Sequence, residues 1–260
     1  MTRIRSLASR WLRRTPLSLE DEGLWLYRAK HLPAWRVRKR LAQHLYWQDL
    51  AHLIGTFDVD LVLDVGANRG QFGRDVRARA GYTGEMHSFE PLPAAFKALR
   101  ERVQGDAAWT AHPFALGAEA GEAELQMPGS AVLSSFLAPA PMLQQMGGLD
   151  EPPRTETVQV CRLDDVFNKV AHAEGRRILL KMDTQGFDLQ VFAGAGDVLE
   201  SVVVLQSEIS VVPIYEEMPP LTESLRTYTD AGFRLSGLYP ITTLDKRALT
   251  ICEFDALFAR

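Results

Sequence analysis

From Asp60 to the C-terminus, short runs of branched and aromatic apolar residues alternate with amphipathic stretches, and this alternation restricts the fold more than any other feature. The apolar runs predict strands near 61–66, 85–89, 109–115, 178–183, 202–208, 233–239 and 249–258. Helical spacing predicts helices near 71–80, 93–103, 164–173, 188–199 and 220–231. Strand, crossover helix and strand, repeated this way, require a parallel sheet with helices on both faces. Only the last two strands are joined by a short loop, near 240–248, which permits an antiparallel pair. The expected architecture is α/β: a doubly wound, mostly parallel seven-stranded sheet with an antiparallel terminal strand, preceded by N-terminal helices. Residues 117–160 depart from the pattern. GEAELQMP reads as an extra extended piece leading into a Pro- and Gly-bearing insertion, expected over the carboxyl edge of the sheet, where ligands bind.

The chain is expected to have a basic helical extension, 1–55, and a sheet domain, 56–260. Ile4, Leu7, Ala8, Trp11 and Leu12 share one helical face flanked by arginines, and Pro16 ends it. Such a helix packs on the body, docks on a second subunit in a homo-oligomer, or lies on an anionic membrane through residues 1–15. The absence of acids before Glu20 also suits a targeting segment. A second helix, about 34–54, is expected to turn Val37, Leu41, Leu45 and Leu53 inward. Residues 1–40 hold eleven Lys/Arg against three acids, leaving 18 bases and 30 acids for the rest. An acidic body argues against gripping nucleic acid, which needs a basic surface. No apolar run reaches membrane-spanning length, and no apolar h-region follows the basic start. Cys161 and Cys252 lack CxxC spacing and read as reduced thiols. The expected location is cytoplasmic, at the inner membrane face if the arm binds lipid.

The stretch LVLDVGANRG, residues 61–70, ends the first strand in a tight turn. A P-loop would need GxxxxGK, and no Lys is present. A dinucleotide fingerprint would need GxGxxG, and Asn68 stands where its middle glycine belongs. The third pattern is acid, any, Gly, any, small, any, Gly. Asp64, Gly66, Asn68 and Gly70, with Ala67 between, fit it, and it is the loop of S-adenosylmethionine (SAM) enzymes. An acid at the strand tip suits the cationic end of that ligand, directly or through water, and bare backbone at Gly66 and Gly70 suits close approach. The second strand ends HSFEP, and Glu90 is placed to accept both ribose hydroxyls. An NAD-dependent oxidoreductase and a non-catalytic SAM-binding scaffold remain as alternatives.

The ordered set LDVGANRGQF, HSFEP, ALG followed by GEAEL, SSF, CRLDD, LLKMDTQGFDLQVFAGA and LQSEISVVPIYEEMP resembles the FkbM-type methyltransferase family over roughly residues 60–260. The resemblance implies a Rossmann-like class I methyltransferase fold and SAM as cofactor. It also implies O-methylation of a hydroxyl on a sugar, glycolipid, polysaccharide or secondary metabolite, a small-molecule or glycan acceptor. It adds Leu116 and Gly117, from ALG, to the cofactor set. The family's fourth-strand motif often reads Lys-Ile-Asp-x-Glu-Gly. Here it is Lys181, Met182, Asp183, Thr184, Gln185, Gly186, so position 185 holds no carboxylate to act as a base.

Methyl transfer to oxygen needs an aligned nucleophile and a place for its proton. Asp183 and Glu208 end neighbouring strands and are the expected catalytic acids. Together they form a candidate Mg²⁺ site, since hard oxygen ligands suit that ion. Activity is then expected to fall in EDTA. Lys181, on the same face as Asp183, is expected to pair with it and keep it ionised. Ser134 and Ser135 from the insertion, and Tyr215 and Glu216 after the fifth strand, are expected to contact the acceptor. Asp164 and Asp165 read as first-turn acids of a helix. His87 reads as a core residue, and His112 and His172 show no partner spacing.

Overall fold

The computed structural model describes residues 33–127, 133–145, 154–171 and 175–260. The proposed helix at 1–15 and His172 lie outside the described residues. The chain divides into two compact units, 1–41 and 42–260. Of the first, residues 33–41 are described and contain the opening of helix α1 (Ala34–Thr56).

The second unit is built on a seven-stranded sheet. Its strands are β1 (Leu61–Val65), β2 (Glu85–Phe89), β3 (Trp109–His112), β7 (Ile178–Met182), β8 (Val202–Ser210), β9 (Arg234–Asp245) and β10 (Thr250–Ala259). Their spatial order is β3-β2-β1-β7-β8-β10-β9. The first five run parallel, and β10 is antiparallel to both neighbours. Helices α2 (Gln71–Arg79), α3 (Pro93–Val103), α5 (Leu163–Val170), α6 (Asp188–Gly194) and α7 (Leu221–Asp230) supply the crossovers. This is the doubly wound, mostly parallel seven-stranded sheet expected from the alternation.

Both faces of the central strands are covered, so β1 and β7 are buried at every position. Leu61, Leu63, Val65, Ile178, Leu180 and Met182 enter one core with α5, α6 and α7. Val62 and Leu179 enter the other, with Ala42, Tyr46, Leu50, Leu53 and Ile54 of α1. The inward face of α1 is therefore rotated from the expected one: Leu41 and Leu45 are exposed. The aromatic ring of Tyr46 has more area to bury than a leucine, and its hydroxyl finds Gln206 Oε1 at 2.6 Å.

The insertion forms a second sheet, β4 (Ala115–Leu116), β5 (Gly121–Met127) and β6 (Arg154–Cys161), in the order β4-β6-β5. The expected strand over 109–115 splits because Pro113 has no N–H to continue the ladder, and the chain changes sheets there. A short helix α4 (Pro141–Gln145) follows. Leu143 packs there with Ile214, Tyr215 and Met218, tying the insertion to the loop after β8. The expected helix over 188–199 ends at Gly194, and a 3-10 turn, Gly196–Ser201, completes the crossover. Among the described residues, no helix is long and apolar enough to cross a membrane. Both cysteines are free.

Candidate active site

Chain connections diverge on either side of β1 and β7, and a cavity of about 240 Å³ opens at their carboxyl ends. Gly66, Ala67, Asn68, Glu90, Leu116, Ser134, Lys181, Asp183 and Glu208 are among its lining residues. The turn of residues 66–70 needs its glycines for reasons within the protein. Gly66 has φ +73°, and a Cβ there would stand 2.0 Å from the Asp183 carbonyl oxygen. Gly70 has φ +76°, and a Cβ would press on Leu99 and Arg102. The missing side chains thus admit neighbouring chain, and Gly70 lies behind the cavity wall rather than in it. Gly66, whose bareness is expected to admit a ligand, does line the cavity.

Asp64 lies beneath the turn and is engaged within the protein. It is fully buried, and its carboxylate lies 2.8 Å from Lys181 Nζ and accepts the Ser88 hydroxyl at 2.9 Å. The Trp109 indole N–H donates to the same Ser88 oxygen at 2.9 Å. Ser88, Asp64, Lys181 and Gln206 sit side by side on β2, β1, β7 and β8 in register, a polar row within an apolar face. Asp64 therefore underlies the loop instead of lining the cavity. Lys181 also donates to the carbonyls of Val65 and Gly66, each at 3.2 Å. Its Nζ is 3.7 Å from Asp183, so the expected pair with Asp183 is secondary to the one with Asp64. Burial pulls the ammonium pKa down, but Asp64 and Asp183 outweigh it and the net shift is upward.

Glu90 accepts the Asn68 N–H and the Leu92 N–H, both at 2.8 Å, one on each oxygen. Each oxygen keeps a second lone pair, and the carboxylate faces the cavity. Burial pushes its pKa up against the pull of these two bonds. Leu116 lines the cavity, as expected. Gly117 instead backs onto α6, where a Cβ on Gly194 would meet its carbonyl oxygen at 1.9 Å.

At the other end, Asp183 and Glu208 lie on either side of Gln185. The Gln185 amide nitrogen donates to Asp183 Oδ1 at 3.4 Å and to Glu208 Oε1 at 3.3 Å. Burial, then Asp183, Glu253 and Asp255, push the Glu208 pKa well above its ordinary value. The expected Mg²⁺ site does not fit this arrangement. An amide donor occupies the space between the carboxylates, and it would repel a cation. Among the described residues no three His, Cys, Asp or Glu side chains converge as metal ligands.

Behind this pair, Asp255 stands opposite Glu208 on β10 and accepts the Gln206 amide at 3.3 Å. Burial and Asp183 push its pKa up to about 7. A carboxyl with a folded pKa above the unfolded value of about 3.9 makes the fold lose stability as pH rises between them. Asp255→Asn keeps the acceptor and removes the charge. Its Tm is expected to match wild type near pH 4 and exceed it by about 2–4 °C or more at pH 8, read by scanning calorimetry across that range.

Of the four expected acceptor contacts, Ser134 alone lines the cavity, and its buried Oγ has no hydrogen-bond partner. Ser135 is fully buried and donates to the Gln185 carbonyl at 2.7 Å. Tyr215 is 1% exposed, and its hydroxyl donates to the Leu133 carbonyl at 2.7 Å, with Gln185 Oε1 a longer, shared acceptor at 3.3 Å. Glu216 is exposed, and its N–H bonds the Ala138 carbonyl at 2.7 Å. These three residues hold the insertion over the site; they do not line it.

Some residues that matter carried no individual signal. Asp188 accepts the Ser207 hydroxyl at 2.7 Å, the Thr184 N–H at 2.8 Å and the Glu208 N–H at 3.1 Å, bracing both acid-bearing turns. Its place in the first turn of α6, inside the TQGFD run, was the available clue. His87 and His112 are bonded at 2.8 Å, with His87 also on Glu85 at 2.9 Å. That pair exists because β2 and β3 are neighbours. Asp164 lies in the first turn of α5, as expected, and pairs with Arg162.

A doubly wound sheet with a glycine turn and flanking acids at its switch point defines a Rossmann-like protein with a nucleotide-cofactor site. The model of the methyltransferase FkbM domain matches residues 64–235, and the chain belongs to that family. No curated protein matches. The FkbM methyltransferase of Methylobacillus flagellatus KT is similar in structure, with 16% identity and a TM-score of 0.48; the alignment covers 78% of this chain and 44% of that one. This chain thus spans less than half of that relative. The magnesium protoporphyrin IX methyltransferase of Synechocystis PCC 6803, solved with bound SAM, gives 10% identity, TM-score 0.45, and 97% and 90% coverage. Aeropyrum pernix fibrillarin, solved with natively bound SAM, gives 13%, 0.43, and 76% and 66%.

Proposed function

We propose that this chain is a SAM-dependent O-methyltransferase whose acceptor is a hydroxyl of a sugar, glycolipid, polysaccharide or secondary metabolite, not a nucleic acid. The observation that carries the reading is the cavity itself, with Glu90 at one end and Asp183 at the other, joined by the 66–68 turn. Bound SAM supplies a methyl group on a sulfonium, which needs only an aligned oxygen nucleophile. Glu90 is suited to accept the two ribose hydroxyl protons on its free lone pairs. Asp183 is suited to take the acceptor's proton, because its side chain is 39% exposed and faces the cavity. The acidic body supports a neutral or polyhydroxyl acceptor over a polyanion. We also infer that the transferase domain takes in α1 from Ala42, whose inward residues join its core, rather than starting near residue 56, and that the basic residues before it are a docking arm for a membrane surface or a second copy.

Isothermal titration of the full chain with S-adenosylhomocysteine tests the cofactor, and absence of binding by it and by SAM overturns the proposal. Glu90→Gln loses one acceptor oxygen and turns an amide donor toward a backbone N–H. Its dissociation constant is expected to rise about 10- to 100-fold. Methyl transfer from labelled SAM into a panel of glycosides and a host extract then identifies the acceptor.

A further inference from the structure

Gln185 is held from every side. Its backbone lies in the left-handed region at φ 53°, a conformation that costs a non-glycine residue energy and persists where surroundings enforce it. Ser135, from the insertion, donates to its carbonyl at 2.7 Å, and the Tyr215 hydroxyl, whose hydrogen goes first to the Leu133 carbonyl, shares it with Oε1 at 3.3 Å. The amide nitrogen is left facing Asp183 and Glu208. Rotating the amide by half a turn would set its oxygen against two carboxylates, so the donor must point at the acids. An NH₂ group has two hydrogens, and here each has a carboxylate to serve.

We propose that Gln185 is a positioning residue standing in place of a divalent cation: its amide bridges Asp183 and Glu208 and makes the acid pair metal-independent. The inference rests on the reading of this cavity as a methyl-transfer site. A cation between two carboxylates draws them together and holds their orientation. The amide does the same through two hydrogen bonds while carrying no charge, which leaves Asp183 able to receive a proton. A glutamate at position 185 would make a third carboxylate in the same locked geometry, and three converging acids create the hard-oxygen site that the glutamine denies.

The test is an electron paramagnetic resonance titration of the full chain with Mn²⁺ alone. Wild type is expected to leave the free-ion signal unchanged at protein excess. Gln185→Glu is expected to take up one Mn²⁺ per chain, at least tenfold more tightly than wild type, and Asp183→Asn added to it is expected to abolish the uptake. Uptake by wild type that depends on Asp183 overturns the proposal, and so does Gln185→Glu binding no better than wild type. If Gln185→Glu does not fold, Gln185→Ala removes the donor between the acids and is likewise expected to bind Mn²⁺ more tightly than wild type; equality refutes the idea. S-adenosylhomocysteine titrations on the same samples report separately on the cofactor, so its failure is distinguishable from failure of the clamp.

Discussion

Replacing Lys181 with Met is expected to lower folding stability by about 3–5 kcal/mol, the usual cost of stranding one partner of a buried ion pair. The pair in question is Lys181 with Asp64, 3% and 0% exposed and 2.8 Å apart. Without the ammonium, the Asp64 carboxylate keeps only the Ser88 hydroxyl, and the Val65 and Gly66 carbonyls lose their donor. The second loss touches function, because those carbonyls belong to the cavity turn. The variant is therefore expected to bind S-adenosylhomocysteine weakly even under conditions where it stays folded. Urea denaturation gives the stability change and calorimetry the binding change.

A double variant separates charge from shape. Asp64→Asn with Lys181→Met removes both charges at nearly constant volume, so it should be less destabilised than the two single changes summed. Simple additivity would mean that the ion pair is not the unit of stability. The pH dependence follows from the sign of the shift. Lys181 is raised in the folded state, so its contribution is fully present below the ordinary lysine value of about 10.4 and is lost only as pH rises beyond it. The gap between wild type and Lys181→Met should stay level from pH 6 to 9.

Why the sequence hides this pair while exposing the sheet is a matter of range. Strand and helix positions depend on local periodicity, and LVLDV or ILLKM carries its own evidence of burial. The glycine turn is likewise local, although what Gly66 avoids is the backbone of Asp183, far along the chain. The polar row of Ser88, Asp64, Lys181 and Gln206 depends on the registers of three strand pairs, which no spacing within a strand reveals. Ser135 and Tyr215 were legible as residues near the site, because they flank it in the expected topology. Their true partner, Gln185, was not legible, since it lies across a fold of the insertion. The same limit explains α1, where Tyr46 turns inward and its hydroxyl meets Gln206, a residue far along the chain.

Asp183→Asn is expected to lower methyl transfer by about 10²- to 10⁴-fold, the range for removing a positioned general base. Among the acids at this end of the cavity, Asp183 is the one suited to that role. It is the more open of the pair with Glu208, with its side chain 39% exposed at the cavity. As the acceptor oxygen bonds to the methyl carbon and the carbon–sulfur bond breaks, the hydroxyl proton needs a base within reach, and an amide offers none. The loop should survive the change. Its contacts with residue 183 run through the backbone: the N–H bonds the Val65 carbonyl at 3.2 Å, and the carbonyl oxygen faces Gly66. S-adenosylhomocysteine affinity should therefore stay within about twofold of wild type, a change of under about 0.5 kcal/mol, while turnover collapses. The measurement is the rate of label transfer from SAM to an identified acceptor, with calorimetry on the same preparation. Turnover within threefold of wild type would assign the proton to another group, and with no acceptor found in any extract it would favour a cofactor-binding scaffold. A joint loss of affinity and turnover would mean instead that residue 183 acts through the loop.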